Sequence, residues 1–181
     1  MQKISKTNSD LLIAIYQNLL TARQSINNII EKVSDSRLKK ELSKQYESYT
    51  PIKEECEAHA QKHLIDIVDN SFVEKARMWM SVNMSLLLDK SNRKIASICI
   101  IGNTMGIIDL ICVISDCQKG KPEFLALAEK LKDLENKNTN DLKPYLLKGS
   151  KPKKKSSIPK AKEDNNEDQD KTTKANPNLD L

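Results

Sequence analysis

The sequence predicts an all-α protein whose helices form a four-helix bundle. Only 4% of the 181 residues are aromatic, and the chain has four Gly and six Pro, which are too few turn-forming residues for a sandwich, a barrel or an open sheet. Apolar residues recur at alternating steps of three and four along several long stretches, which is the spacing of an amphipathic helix. The joins are short within each half of the chain, as between neighbouring helices of a bundle.

The first helix is predicted over about residues 9–33. Its apolar positions follow a heptad seam for three repeats. These positions are Leu12, Ile15, Leu19, Ala22, Ile26, Ile29 and Val33. The segment Ser34-Asp35-Ser36 is expected to stop this helix and cap the next one, because short polar side chains accept hydrogen bonds from the first amides of a helix.

A second helix is predicted over about residues 37–69, and Pro51 falls inside it. Because proline lacks a backbone donor, we expect a kink in the turn before it. The segment that follows is long and crosses between the two halves of the bundle. It contains a capping-box pattern, Ser71 followed by Glu74, so an extra short helix is expected within it.

The most apolar stretch is predicted to form the third helix, over residues 92–117. Its residues 95–114 carry one charge, Asp109, and contain Gly102-x-x-x-Gly106, so they also fit a membrane span. A central Asp costs about 2.5–3.5 kcal/mol on insertion scales, whereas each Ile or Leu returns only about 0.3–0.6 kcal/mol. We therefore expect a central bundle helix that is buried on most sides, with its glycines at a close helix approach.

Capping residues delimit the third and fourth helices. Ser91 is the predicted N-cap of the third helix, Gly120 marks its end, and Pro122 stands in the first turn of the fourth. The fourth helix is predicted over residues 122–147, with its final turn disturbed by Pro144.

The apolar periodicity ends near the last glycine, which sets the domain organisation. Residues 1–148 are predicted to form the helical bundle domain. Residues 149–181 are expected to be a disordered tail, Lys-rich and then acidic, because too few apolar residues are present to offset the entropy of ordering. The first ten residues show no secretory signal and no Cys belongs to a C-x-x-C pair, so a cytoplasmic protein with reduced thiols is expected.

The charge balance and the missing motifs argue against several function classes. The net charge is +5, and residues 1–148, with 22 basic and 19 acidic side chains, lack the basic footprint of a nucleic-acid-binding protein. The sequence has no P-loop, no G-x-S-x-G and no dinucleotide-binding fingerprint. We therefore expect no enzymatic activity, no small-molecule substrate and no nucleic-acid partner.

Cys56, His59 and His63 are one set of candidate metal ligands. The two His are at positions i and i+4, so they face the same side of the second helix, and Cys56 precedes them by one turn. Nitrogen and sulfur donors at this spacing suit zinc, which takes three or four such ligands. The alternative interpretation is a pair of half-buried histidines near the end of the bundle.

Asp109, Glu135 and Asn138 form a second candidate set. Asp109 is expected to point into the bundle, and Asn138 interrupts the leucine seam of the fourth helix one turn after Glu135. Inward polar groups on facing helices can form a metal cluster, or a polar layer that fixes the register of the helices. Both interpretations stay open on the sequence, and the polar layer is the commoner.

Several of these features together resemble a known superfamily. They are the helix lengths, the long crossing segment with Trp79-Met80, Asp89 before the third helix, and Glu135-x-x-Asn138 on the fourth. In these features the chain resembles the ferritin-like superfamily and, more narrowly, small uncharacterised ferritin-like proteins of Gram-positive bacteria. The superfamily binds iron through inward Glu residues and E-x-x-H motifs. This chain keeps Glu135, and Asn138 stands where His would be.

The sequence thus favours a non-enzymatic, ferritin-like helical bundle that acts as a structural or interaction module without a cofactor. The chain is expected to act as a homodimer or by binding another protein. One alternative, which the resemblance implies, is a protein that binds iron, or zinc. The other is a membrane-associated protein that uses residues 95–114.

Overall fold

The structure, a computed structural model, describes residues 6–67 and 89–147. These ranges contain five α-helical segments and one 3₁₀ helix. They are α1 Lys6–Ile30, α2 Ser36–Ser48, α3 Thr50–His63, α4 Asn92–Asp116, α5 Pro122–Leu142 and the 3₁₀ helix Lys143–Leu146. These ranges contain no β-strand, and α2 and α3 together form one interrupted helix, so the all-α prediction with four helices is confirmed. The predicted extra short helix and the tail lie outside the described residues.

The heptad seam of α1 faces the core of the bundle. Six of its seven positions are buried, and Ala22 is half-buried. α1 ends at Ile30, earlier than predicted, so Val33 completes the seam from the turn that follows. Asp35 caps α2 as expected, because its carboxylate accepts hydrogen bonds from the backbone amides of Arg37 and Leu38, both at 2.9 Å.

The interruption between α2 and α3 lies at Tyr49. Pro51 occupies the first turn of α3, where its missing amide hydrogen costs nothing, so the predicted kink is a break between two helices. Tyr49 is fully buried, which fixes the break by packing. α3 ends before the predicted position near residue 69, because Leu64 adopts a left-handed conformation with φ 54° and ψ 43°.

The prediction that α4 is buried on most sides is wrong for the described part of the chain. One side of α4 packs against α5 and α1. The other side bears four large apolar residues that are about half exposed: Ile101 at 52%, Met105 at 47%, Ile108 at 53% and Ile111 at 52%. Asp109 is also exposed rather than turned inward. α4 is apolar around most of its circumference, so its sequence does not indicate which side faces the bundle.

α4 begins at its predicted cap, but its C-cap is Cys117 rather than the predicted Gly120. The Ser91 hydroxyl accepts a hydrogen bond from the Lys94 amide at 3.2 Å, which confirms the predicted N-cap. Pro122 occupies the first turn of α5. Pro144 lies in the 3₁₀ helix that replaces the last predicted turn of α5. α1 contacts both halves of the interrupted helix, α4 and α5, so the core lies around α1.

Candidate functional site

A cavity of about 420 Å³ opens between α1 and α4. Most of its wall comes from α1 and α4, and the α4 residues include Gly102, Asn103 and Gly106. α2 and α5 contribute one residue each, Gln45 and Glu135. This volume falls within the range of about 300–1,000 Å³ that is typical of small-molecule sites. The cavity is therefore the first candidate for a functional site.

The carboxyl group of Glu135 lies against the backbone of Gly106. A Cβ atom added at Gly106 would lie 2.5 Å from Oε2 of Glu135, so only glycine allows the carboxyl group to occupy this position. The predicted close approach is thus at Gly106, whereas Gly102 lines the cavity. Burial, followed by the negative charge of Asp109, raises the pKa of Glu135 to about 9, so this group is protonated at neutral pH.

Two buried polar atoms in the cavity wall have no hydrogen-bond partner among the described residues. They are Oε2 of Glu135, a residue that is 1% exposed, and Nδ2 of Asn103, a residue that is 7% exposed. Asn18 is better satisfied, because its Nδ2 donates to the carbonyl oxygen of Gly106 at 2.9 Å and links α1 to α4. Buried polar atoms are rarely left unpaired, so their presence in a roomy cavity is typical of a site that takes a polar ligand.

Asn138 belongs to a separate hydrogen-bonded layer. Its Nδ2 donates to the Tyr49 hydroxyl at 3.2 Å, and its backbone carbonyl accepts from Nε2 of Gln45 at 3.3 Å. The structure therefore brings Asp109 and Glu135 to the cavity wall and directs the Asn138 side chain to the break between α2 and α3. This placement matches the polar-layer interpretation for Asn138, because its bonds connect α5 to the interrupted helix.

A second cluster joins the end of α3 to the first turn of α5. One ligand atom each from His59, His63 and Glu123 lies within 4.8 Å of the others, and no other group of three or more such donors occurs in the described residues. Nε2 of His63 is 3.7 Å from Oε1 of Glu123. The two imidazole rings are stacked with centroids 6.2 Å apart. Each makes a T-shaped contact with the ring of Phe124.

The state of His63 suits metal binding. Its Nε2 is buried without a hydrogen-bond partner among the described residues. Burial, together with the nearby charges of Lys121 and Lys62, lowers the pKa of His63, so the imidazole is neutral and keeps a lone pair for a metal ion. Cys56 lies outside the cluster, and burial raises the pKa of its thiol to about 12. A thiol that resists deprotonation is a poor zinc ligand.

Glu123 is the functional candidate that the sequence did not indicate. It lies 60 residues beyond His63, and only the packing of α3 against α5 brings the two together. Its spacing to Lys121 is that of an ordinary surface ion pair, which the two residues form at 3.6 Å. No motif separates it from the other acids of the chain.

Comparison of the chain with protein-family models, with curated proteins and with solved structures gives no match. The ferritin-like resemblance therefore stays a prediction, and the two clusters are interpreted from their own geometry.

The raised pKa of Glu135 makes the free energy of unfolding depend on pH. The folded protein keeps this carboxyl protonated up to about pH 9, whereas its ordinary pKa is 4.5, so folding takes up a proton between these values. The linked stability is fully present below pH 4.5 and is lost as the pH rises toward 9. In urea unfolding, Glu135→Gln should therefore stabilise the protein at about pH 8 and lose most of that advantage at about pH 4. An equal effect at both pH values would contradict this prediction.

Proposed function

We propose that this chain is a non-enzymatic interaction protein whose contact surface is the α4 face, defined by Ile101, Met105, Ile108 and Ile111. The observation that supports the proposal is the exposure of these four side chains along one strip of the helix. Soluble proteins that act alone rarely expose a continuous apolar strip of this kind, and such a surface usually marks an interaction site.

The spacing and charges of α4 favour a second copy of the chain as the partner. The steps between the residues of the α4 face are four, three and three, which suit packing against another helix. By helical period, Lys94 and Asp116 lie on the same side near opposite ends of α4. When two copies of α4 pair in antiparallel orientation, Lys94 of each lies near Asp116 of the other. In a dimer with two-fold symmetry both copies contribute the same surface, so the α4 faces of both copies are covered.

Membrane association is the competing use of the same helix. Within the described residues, α4 is the one helix long and apolar enough to cross a membrane. However, its inner side is packed in the bundle, where Ile95, Cys99 and Leu110 are buried. A spanning orientation would separate these residues from α1 and α5. We therefore propose that α4 forms a contact between proteins.

Charge on the α4 face should abolish self-association. The full chain is expected to sediment at twice its mass of 20.5 kDa. Ile108→Lys should sediment as a monomer with an unchanged helical spectrum, because each copy would bury a lysine without a partner in the apolar contact. Ala126→Lys, at an exposed position on α5, is the matched control and should remain dimeric. A monomeric wild-type chain, or co-sedimentation of wild type with lipid vesicles that Ile108→Lys prevents, would contradict the dimer.

The cluster of His59, His63 and Glu123 supports a second candidate function, binding of a zinc ion. Two imidazole nitrogens and one carboxylate oxygen supply three of the four ligands that zinc takes, and water can be the fourth. Zinc would satisfy the buried Nε2 of His63, which has no hydrogen-bond partner in the described structure. It would also connect the end of α3 to the start of α5.

Zinc titration of the metal-free protein distinguishes this cluster from the ligand set that the sequence suggested. His63→Ala and Glu123→Gln should each weaken zinc affinity by about tenfold or more in calorimetry, because each removes a ligand. Cys56→Ala should leave the affinity unchanged, because Cys56 lies outside the cluster. Zinc affinity that depends on Cys56, or that survives Glu123→Gln, would show that the cluster is not the site.

A further inference from the structure

Among the described residues, the ionisable side chains that line the cavity between α1 and α4 include acids but no bases. Asp109 and Glu135 both line it, and none of its other described lining residues is Lys, Arg or His. Glu135 is protonated while the cavity is empty, so the negative charge that attracts an approaching cation is that of Asp109. The electrostatics of the cavity therefore favour a cationic ligand over an anionic one.

Acceptor oxygens converge beside Gly106. Oε2 of Glu135 and Oδ1 of Asn18 lie 2.5 and 3.0 Å from the position that a Cβ of Gly106 would take, so the two oxygens are near enough to each other for one ligand group in the cavity to contact both. Glu135 is 1% exposed and its Oε2 has no partner in the described structure. Such an arrangement is suited to a group with several hydrogen-bond donors and a positive charge, which is the chemistry of an ammonium ion.

The remainder of the wall indicates that the cation carries an apolar body. Ile26, Ile29 and Ala22 line the same cavity, whose volume of about 420 Å³ far exceeds that of a single ion. Cys99 also lines the cavity, but among the described residues Asp109, Glu135 and Cys99 do not bring their donor atoms within 4.8 Å of one another, so the cavity lacks the ligand set of a metal centre.

We propose that this cavity binds a small organic amine in its ammonium form, with Glu135 as the buried counter-ion and the apolar body of the ligand along Ile26 and Ile29. Asn18 accepts a further hydrogen bond from the ammonium group. Asp109, which is exposed, adds attraction for the approaching cation. The cavity borders the α4 face, because Met105 belongs to both, whereas Glu135, Ile26 and Ile29 belong to the cavity alone.

Binding in this way is linked to release of a proton. Glu135 is protonated in the empty cavity at neutral pH, because burial and Asp109 raise its pKa to about 9. The ammonium ion displaces this proton to solvent, and the carboxylate that remains pairs with it. Cys99 and Tyr49, the other titratable groups near Glu135, have pKa values raised by burial, and α1 contributes no titratable residue to the cavity wall.

Calorimetry with matched six-carbon probes tests the proposal on the full chain. Hexylammonium should bind, and hexanol and hexanoate should bind at least about tenfold more weakly, because neither supplies a positive charge to Glu135. The affinity for hexylammonium should rise about tenfold from about pH 7 to pH 8, with about one proton released, since the amine stays protonated over this range.

Glu135→Gln provides the decisive variant. Glutamine has the size of the protonated carboxyl but cannot ionise, so the fold should persist while hexylammonium affinity falls at least about tenfold. Asp133→Asn removes an exposed acid from the same helix and should leave binding unchanged. The proposal is overturned if hexylammonium fails to bind, if hexanol binds as tightly, if affinity is independent of pH, or if Glu135→Gln binds as wild type does.

Discussion

The helices α1, α4 and α5 meet at Gly106, where the Glu135 carboxyl group packs against the α4 backbone. Because residue 106 has no side chain, an α5 side chain can reach the α4 backbone, and the carbonyl oxygen of the same glycine accepts from Asn18 of α1. α4 is thus held by α5 on one side and by α1 on the other. The cavity lies between α1 and α4 beside this glycine, and the α4 face points outward.

Local signals predicted the helices and several of their caps and breaks, but they placed the ends of the first and second helices too late and did not predict the exposed side of α4. The caps at Asp35 and Ser91 and the breaks at Pro51 and Pro144 act within a few residues of themselves, so the sequence alone indicated them. The seam of α1 is one-sided and therefore identified its own buried face. α4 is apolar around most of its circumference, and the groups that its inner side meets, such as Glu135 beside Gly106, lie on other helices. No local pattern carries that information.

The candidate sites could be predicted from the sequence where a polar residue lies within an apolar stretch of a helix. Asn138 interrupts a leucine seam, Glu135 lies one turn before it, and Asp109 stands in an apolar stretch, so the sequence marked all three residues before their positions were known. Glu123 could not be singled out in this way, because an acidic residue is common in the first turn of a helix. The break in the leucine seam marked Asn138, but its partner Tyr49 is 89 residues away, so only the fold assigns Asn138 to a structural layer.

The account depends most directly on a buried, protonated Glu135. Carbon-13 NMR of the Glu side-chain carboxyls, with the Glu135 resonance assigned by its loss in Glu135→Gln, measures this protonation in the folded protein. A titration midpoint near pH 9 is the result that burial beside Asp109 and Gly106 predicts. A midpoint near the ordinary pKa of 4.5 would mean that the carboxyl group is solvated, and would contradict the placement of α4 and the cavity described above.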